Sequence, residues 1–213
     1  MSMAIELGSG SIISKNTHCE GLILICYLLM MTMTSGCSLF EPREPEHPSQ
    51  SSSAFLPPTT PEIVIANLQS SIAQRNVQNY INCLDSSRTR RPFTFAPSGD
   101  ASAQYPTVFS SWTYTEEDDY MSNLVSKAIP GGFSSLLLTQ TSLPIIYADS
   151  VIYSYDYTFT FQHTEPGFPA TARGNLQFAL GADNSNFWYI YRWTDSKTTP
   201  DITWSGFKGK FSN

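Results

Sequence analysis

From residue 153 to residue 163 the chain alternates strictly, and Val151 extends its apolar parity. Val151, Tyr153, Tyr155, Tyr157, Phe159, Phe161 and His163 occupy one parity, and Ser154, Asp156, Thr158, Thr160 and Gln162 occupy the other. Successive side chains of a strand point to opposite faces, so this pattern predicts a long antiparallel strand with one covered face and one wet face. Ala172, Leu176, Phe178 and Leu180 repeat it against Arg173, Asn175, Gln177 and Ala179. Turn residues at 165–167 and 181–184 separate the strands. Residues 187–195 predict a further strand that is aromatic on both parities, one side facing the core and the other meeting a partner or another element. Residues 133–146 read as a strand broken near Pro144, and residues 91–97 as an extended segment between two prolines.

Helical spacing is confined to the earlier part of the domain. Thr59 or Thr60 can cap a helix, with Pro61 in its first turn and Ile63, Ile65, Ala66, Leu68 and Ile72 as its apolar stripe to about residue 74. Asn76 caps a second helix over 77–85, with Val77, Tyr80, Ile81 and Leu84 as its stripe. Thr115 caps a third. Glu116, Glu117, Asp118 and Asp119 sit in its first turn, where the helix dipole favours negative charge, and Pro130-Gly131-Gly132 ends it. Helices first and hairpin strands afterwards predict an α+β domain, its N-terminal helices packed on one face of a curved antiparallel sheet.

Ahead of this domain the pattern changes twice. Residues 21–37 run GLILICYLLMMTMTSGC, an apolar stretch followed by small residues and a cysteine. The apolar run from 22 to 33 has 12 residues, short of the roughly 18–20 that span a bilayer. It has the shape of a secretory signal ending in a cleavage site. Thr34-Ser35-Gly36-Cys37 resembles the lipobox of bacterial lipoproteins, which implies cleavage before Cys37 and lipidation of its sulfur. A plain cleaved signal or a short anchor is the alternative. Residues 38–60 are dominated by proline, serine and glutamate, too poor in apolar side chains to offset ordering entropy, and read as a disordered tether. The expected organisation is a signal at 1–36, a tether at 37–60 and a domain at 61–213. It places the protein in the cell envelope, lipid-anchored to a bacterial membrane on its periplasmic or surface side.

Composition narrows the function classes. The net charge of −6 provides no basic field for nucleic acid. Of the four cysteines, Cys19 and Cys26 leave with the signal and Cys37 is acylated, so Cys83 alone remains, read as a buried small hydrophobe. With only His47 and His163 in the mature chain, no metal set can form, and no cofactor is expected. Gly131-Gly132 lacks the Lys-Ser/Thr of a phosphate loop, and no serine lies in a Gly-x-Ser-x-Gly turn. His163 is expected to be solvated near a strand end. Asp156 is expected to be a solvated strand residue, with Arg173 or Arg192 as its partner across the sheet, and Asp195 to cap the following turn. Arg88, Arg90 and Arg91 read as a solvated basic loop, and the acidic run 116–119 is accounted for by capping alone.

Two N-terminal helices, a third, and hairpin strands ending in Trp188-Tyr189-Ile190-Tyr191-Arg192-Trp193-Thr194-Asp195 resemble the nuclear transport factor 2-like superfamily, a cone-shaped α+β fold. The segment 203–209 resembles the closing segment of lipoproteins carrying that domain. The resemblance implies a pocket between helices and concave sheet, and dimerisation through the sheet in many members. It carries over no catalytic residues. Tyr153, Tyr155, Tyr157, Phe161, Trp188 and Trp193 are the candidates to line such a pocket, against a reading of them as core and rim packing. The leading expectation is a non-catalytic domain that binds a small apolar ligand or a protein partner. An isomerase, dehydratase or cyclase type of enzyme using Tyr155, Tyr157, Asp156 or His163, and a structural component of the envelope, are the alternatives.

Overall fold

The computed structural model describes residues 55–87 and 90–212. Cys37, the expected signal and the tether as far as residue 54 lie outside the described residues, as do Arg88 and Thr89. The described chain begins inside the expected tether, and its first residues are held. Leu56 and the Asn67 side chain exchange two hydrogen bonds, of 3.1 and 2.8 Å, and the Trp188 N–H donates to the Pro58 carbonyl at 2.7 Å.

Helix α1 (Pro61–Gln74) starts where its cap predicts, the Thr60 hydroxyl accepting from the Ile63 N–H. Val64, Ile65, Leu68 and Ile72 form its buried stripe. It ends at Arg75, which takes the left-handed conformation (φ 55°) while its guanidinium donates to the Ile129 carbonyl at 2.8 Å and to that of Gly132. Helix α2 (Val77–Ile81) is shorter than expected. After it the backbone turns to pair with the sheet: the Ile190 N–H donates to Cys83 O and the Asp85 N–H to Ile190 O, both at 2.9 Å. Strand β1 (Thr94–Ala96) lies in the segment expected to be extended. Helix α3 (Gly99–Gln104) has no counterpart in the sequence reading. Helix α4 (Tyr114–Ser126) begins one residue before Thr115 because Thr113 is the cap, in a reciprocal capping box with Glu116.

Strands β2 (Ser134–Gln140) and β3 (Ile145–Ile146) are separated by the break expected near Pro144, and both pair with β4 (Ser150–Phe161). Strands β5 (Thr171–Ala182) and β6 (Trp188–Ser196) complete the meander, and α5 (Trp204–Lys210) follows. The six-stranded sheet runs β1-β6-β5-β4-β2, with β3 also on β4, and is antiparallel except for β1 alongside β6. The helices pack on its inner face. Ser134, for example, donates to the Ile72 carbonyl of α1 at 2.9 Å. The architecture is thus α+β, N-terminal helices on a mostly antiparallel sheet.

Strand β6 resolves the mixed parity of its aromatics. Ala179 pairs with Arg192, but the next residue, Leu180, pairs with Ile190, so Tyr191 is extra. This bulge flips the alternation. Trp188 and Ile190 before it, and Trp193 and Asp195 after it, therefore all point inward. The outward side chains are Tyr189 and Tyr191 up to the bulge and Arg192 and Thr194 after it, so the outward row is aromatic only in its first half.

Candidate functional site

The expected ligand-lining face is the inner face of β4 and β6. Tyr153, Tyr155, Tyr157, Phe159 and Phe161 on β4 are all buried, as is Trp193 on β6, while Trp188 is half-buried against the same core. Tyr153 and Tyr155 stack at 5.9 Å, and the Tyr153 hydroxyl donates to the Glu62 carboxylate at the start of α1. Phe161 sits beneath the Arg75 guanidinium, 5.4 Å from it. The structure brings Tyr157 and Trp193 together with Phe159 around a single element, α5.

Helix α5 occupies the middle of this face. Trp204 lies flat on Phe159, ring centroids 4.3 Å apart and planes within 10°, and meets Trp193 edge-on at 4.5 Å. Phe207 meets Phe159 at 5.1 Å. Its glycines allow this seating. A Cβ on Gly209 would lie 2.2 Å from the Tyr105 ring, and one on Gly206 would lie 2.4 Å from the Ile202 side chain.

Polar groups lock the helix in place. The Asp195 carboxylate accepts from the Ser205 N–H (2.7 Å), the Ser205 hydroxyl (2.5 Å) and the Tyr157 hydroxyl (2.9 Å). The same Tyr157 oxygen accepts from the Trp204 N–H at 2.6 Å. Asp195 therefore caps the start of α5 rather than the turn that follows its strand, and does so from a buried position, where burial raises its carboxyl above the ordinary range. Burial likewise drives the Tyr157 hydroxyl up. Trp204 donates its indole N–H to the Tyr120 hydroxyl at 2.9 Å.

A second buried centre was not foreseen. Lys208 of α5 and Glu117 of α4, both with fully buried side chains, form an ion pair at 2.6 Å. Glu117 also accepts from the Tyr80 hydroxyl (2.5 Å) and the Trp112 indole (2.7 Å). The ammonium of Lys208 lies 3.6 Å from the Trp193 ring centroid and 3.7 Å from that of Phe95, close enough for cation–π attraction. Burial lowers the Lys208 ammonium to about 8, with Glu117 opposing the shift. Capping alone thus accounts for Glu116 but not for Glu117. The spacing of acids in a first turn is the same whether one faces water or the core, so no sequence signal separates them.

The remaining candidates fall outside this centre. His163 is buried, not solvated. Its Nδ1 accepts from the Glu165 N–H at 3.2 Å, which leaves Nε2 to donate to Pro169 O at 3.1 Å, and its ring packs on Phe207 and Phe211. Asp156 is exposed and accepts from Asn175 at 3.1 Å, while Arg173 pairs instead with Asp201. Arg91 binds Asp149 and lies over the Tyr191 ring, and so is held rather than free in a loop. The Cys83 thiol is buried, donates to the Asn79 carbonyl at 3.3 Å and is pushed up by desolvation. Among the described residues no group of three metal-binding side chains occurs.

Open surface lies elsewhere. A groove of about 480 Å³ runs between Pro58, Asp85, Tyr114 and Tyr189. On the outer face of the sheet a depression of about 310 Å³ is lined by Ala96, Ile152, Gln177, Ala179, Arg192 and Thr194. These six residues share one side of β1, β6, β5 and β4 by register.

No protein-family model and no curated protein matches the chain. Solved structures similar to it include a ketosteroid isomerase-like protein from Erwinia carotovora atroseptica (13% identity, 65% of this chain and 94% of that one, TM-score 0.46). A scytalone dehydratase-like protein from Novosphingobium aromaticivorans is similar at 6% identity (65% and 81%, TM-score 0.49). So is a nuclear transport factor 2-like protein of unknown function from Shewanella oneidensis, at 8% identity (63% and 93%, TM-score 0.38).

Proposed function

We propose that this chain is a lipid-anchored protein of the cell envelope, attached through Cys37, whose domain is of the nuclear transport factor 2-like kind and binds a partner without catalysis. The observation that carries the reading is the seating of α5. The inner aromatic face, where a small apolar ligand would lie, is covered by Trp204 and Phe207, and Tyr157 and Asp195 spend their hydrogen bonds on the start of that helix. An acid–base pair for an isomerase or dehydratase would need those groups free to meet a substrate. The outer sheet face is open and mixed in character, with Thr194, Arg192 and Gln177 around Ala179 and Ile152, as suits a partner's surface.

Two experiments test this. Labelled palmitate fed to expressing cells should enter the chain and be lost in Cys37→Ser, which should move to the soluble fraction. Native mass spectrometry of the detergent-extracted chain should then show acyl mass and no further retained small molecule. A retained non-lipid compound that leaves on denaturation, or turnover abolished by Tyr157→Phe in a protein of unchanged stability, would replace this reading with the ligand-binding or enzyme one.

A further inference from the structure

The edge of the sheet at β2 and β3 is apolar and open. Between Lys127 and Asp149 the chain has no charged side chain, in a protein with 14% charged residues. Within that stretch Leu143 is 87% exposed, Ile146 76%, Leu137 64%, and Ile145 and Tyr147 55% each. Apolar side chains along an edge strand form an association surface. Pairing with another strand is restricted here, because the break over residues 141–144, with Pro144 in it, divides the edge into β2 and the two residues of β3.

The position of this edge in the fold points to its occupant. Ile146 pairs with Val151, and two residues along the same strand the Tyr153 hydroxyl reaches Glu62 in the first turn of α1. Trp188, at the start of β6, holds Pro58. The chain therefore enters the domain at the end of the sheet that carries Ile145–Tyr147, and half-exposed Leu56 lies at this entry. Cys37 and Phe55 are separated by 17 residues, which reach at most about 60 Å. A lipid on Cys37 would hold this end near the bilayer at an effective concentration of roughly millimolar order, enough to populate a weak contact.

We propose that the β2–β3 edge, led by Leu143, Ile145, Ile146 and Tyr147, rests on the surface of the lipid bilayer that carries the anchor. The inference rests on the anchored reading above. Residues 128–148 bring no charge to this contact, the nearest charged side chain, Asp149, is paired with Arg91, and a tyrosine suits the interface between headgroups and acyl chains. The unpaired N–H and C=O groups of an edge strand keep the contact shallow, since they must stay within reach of water or headgroups.

The test uses the full lipidated chain in phosphatidylethanolamine–phosphatidylglycerol vesicles. An environment-sensitive fluorophore is attached at Ile146→Cys or, as the reference position, at exposed Thr164→Cys; buried Cys83 does not take the label. The expected result is blue-shifted emission at 146, quenched by lipids carrying a nitroxide near the headgroup, with neither change at 164. Vesicle-bound protein whose label at 146 behaves like that at 164 overturns the proposal and leaves the anchor standing. A blue shift that follows protein concentration and ignores nitroxide lipid assigns the edge to a second copy of the chain and also overturns it. A chain that fails to float with the vesicles overturns the anchored reading itself, and this contact with it.

Discussion

Strands β4, β5 and β6 carry two surfaces of opposite character. On the inner face Tyr157, Phe178 and Trp193 are buried, and every ionised group named there, Asp195, Glu117 and Lys208, has a hydrogen-bonded partner. On the outer face Asp156, Gln177 and Arg192 stand in water. The alternation of a strand separates the two faces but does not say how each is used. The inner face is closed by the chain's own last helix, whereas the outer face and its β2–β3 edge are left for something else. The difference can be measured, because substitutions on the closed side should be costly to folding and those on the open side should not.

The largest effect is expected at Trp204. Trp204→Ala removes the stack on Phe159, the contact with Trp193 and the hydrogen bond to Tyr120. It should cost about 3–5 kcal/mol in urea unfolding, toward the upper end, and leave an aromatic-lined cavity. Excess indole should raise the variant's unfolding midpoint and not that of the wild type. A loss below about 1 kcal/mol would mean that α5 does not close the inner face.

Lys208→Met comes next. It leaves the buried Glu117 carboxylate without its counter-charge, at a cost of about 3–4 kcal/mol at neutral pH, and Glu117→Gln in the same chain should recover part of the loss. The pH dependence has a definite sign. The folded ammonium titrates at about 8 against an ordinary 10.5, so between those values the unfolded chain binds a proton that the folded chain has released. Stability from this group therefore rises with pH across the window. The gap between wild type and Lys208→Met should widen by about 2 kcal/mol from pH 8 to 10, at about 1.4 kcal/mol per unit. Tyr80 and Tyr120, raised by burial, are common to both proteins and largely drop out of the comparison.

Most of this architecture is legible in the chain, and the parts that are not share a cause. The alternation over 153–161 appears within β4, and the stripe ending at Ile72 as α1, because each repeats its period several times. Helix α5 has seven residues, two of them glycine, which is too little for a helical period to show. Its role follows mainly from contacts far back in the chain, such as Trp204 with Tyr120 (84 positions) and Lys208 with Glu117 (91 positions), and distance along the chain hides them. The same limit applies to Glu117, whose acidic neighbours disguise it. The spacing of Ile190 and Trp193, three apart on a strand with both facing inward, does carry a signal, since only a bulge reconciles it with alternation.

Asp195→Asn tests the join between the inner face and α5. The asparagine oxygen can still accept from Ser205, but an amide NH2 then faces the Tyr157 hydroxyl, which already accepts from Trp204. That hydroxyl can turn, and losing a buried charge offsets part of the weakened bonding. The expected cost is about 1–2 kcal/mol, read from the urea midpoint at constant slope.

The smallest effect is expected at the edge, and its smallness is what gives it weight. Leu143→Ser and Ile146→Ser remove apolar side chains that touch little of the domain, so each should move folding stability by no more than about 0.5 kcal/mol. A buried leucine truncated to a small residue would cost about 2–5 kcal/mol, so the measured value reports directly whether the domain covers this edge itself. Stability unchanged to that degree would place the function of these side chains outside the fold, because the domain gains nothing from them and keeps an aggregation-prone row exposed. A cost near 2 kcal/mol would instead mean that residues 141–147 fold back onto the sheet in solution. The comparison of faces would then fail at its open side.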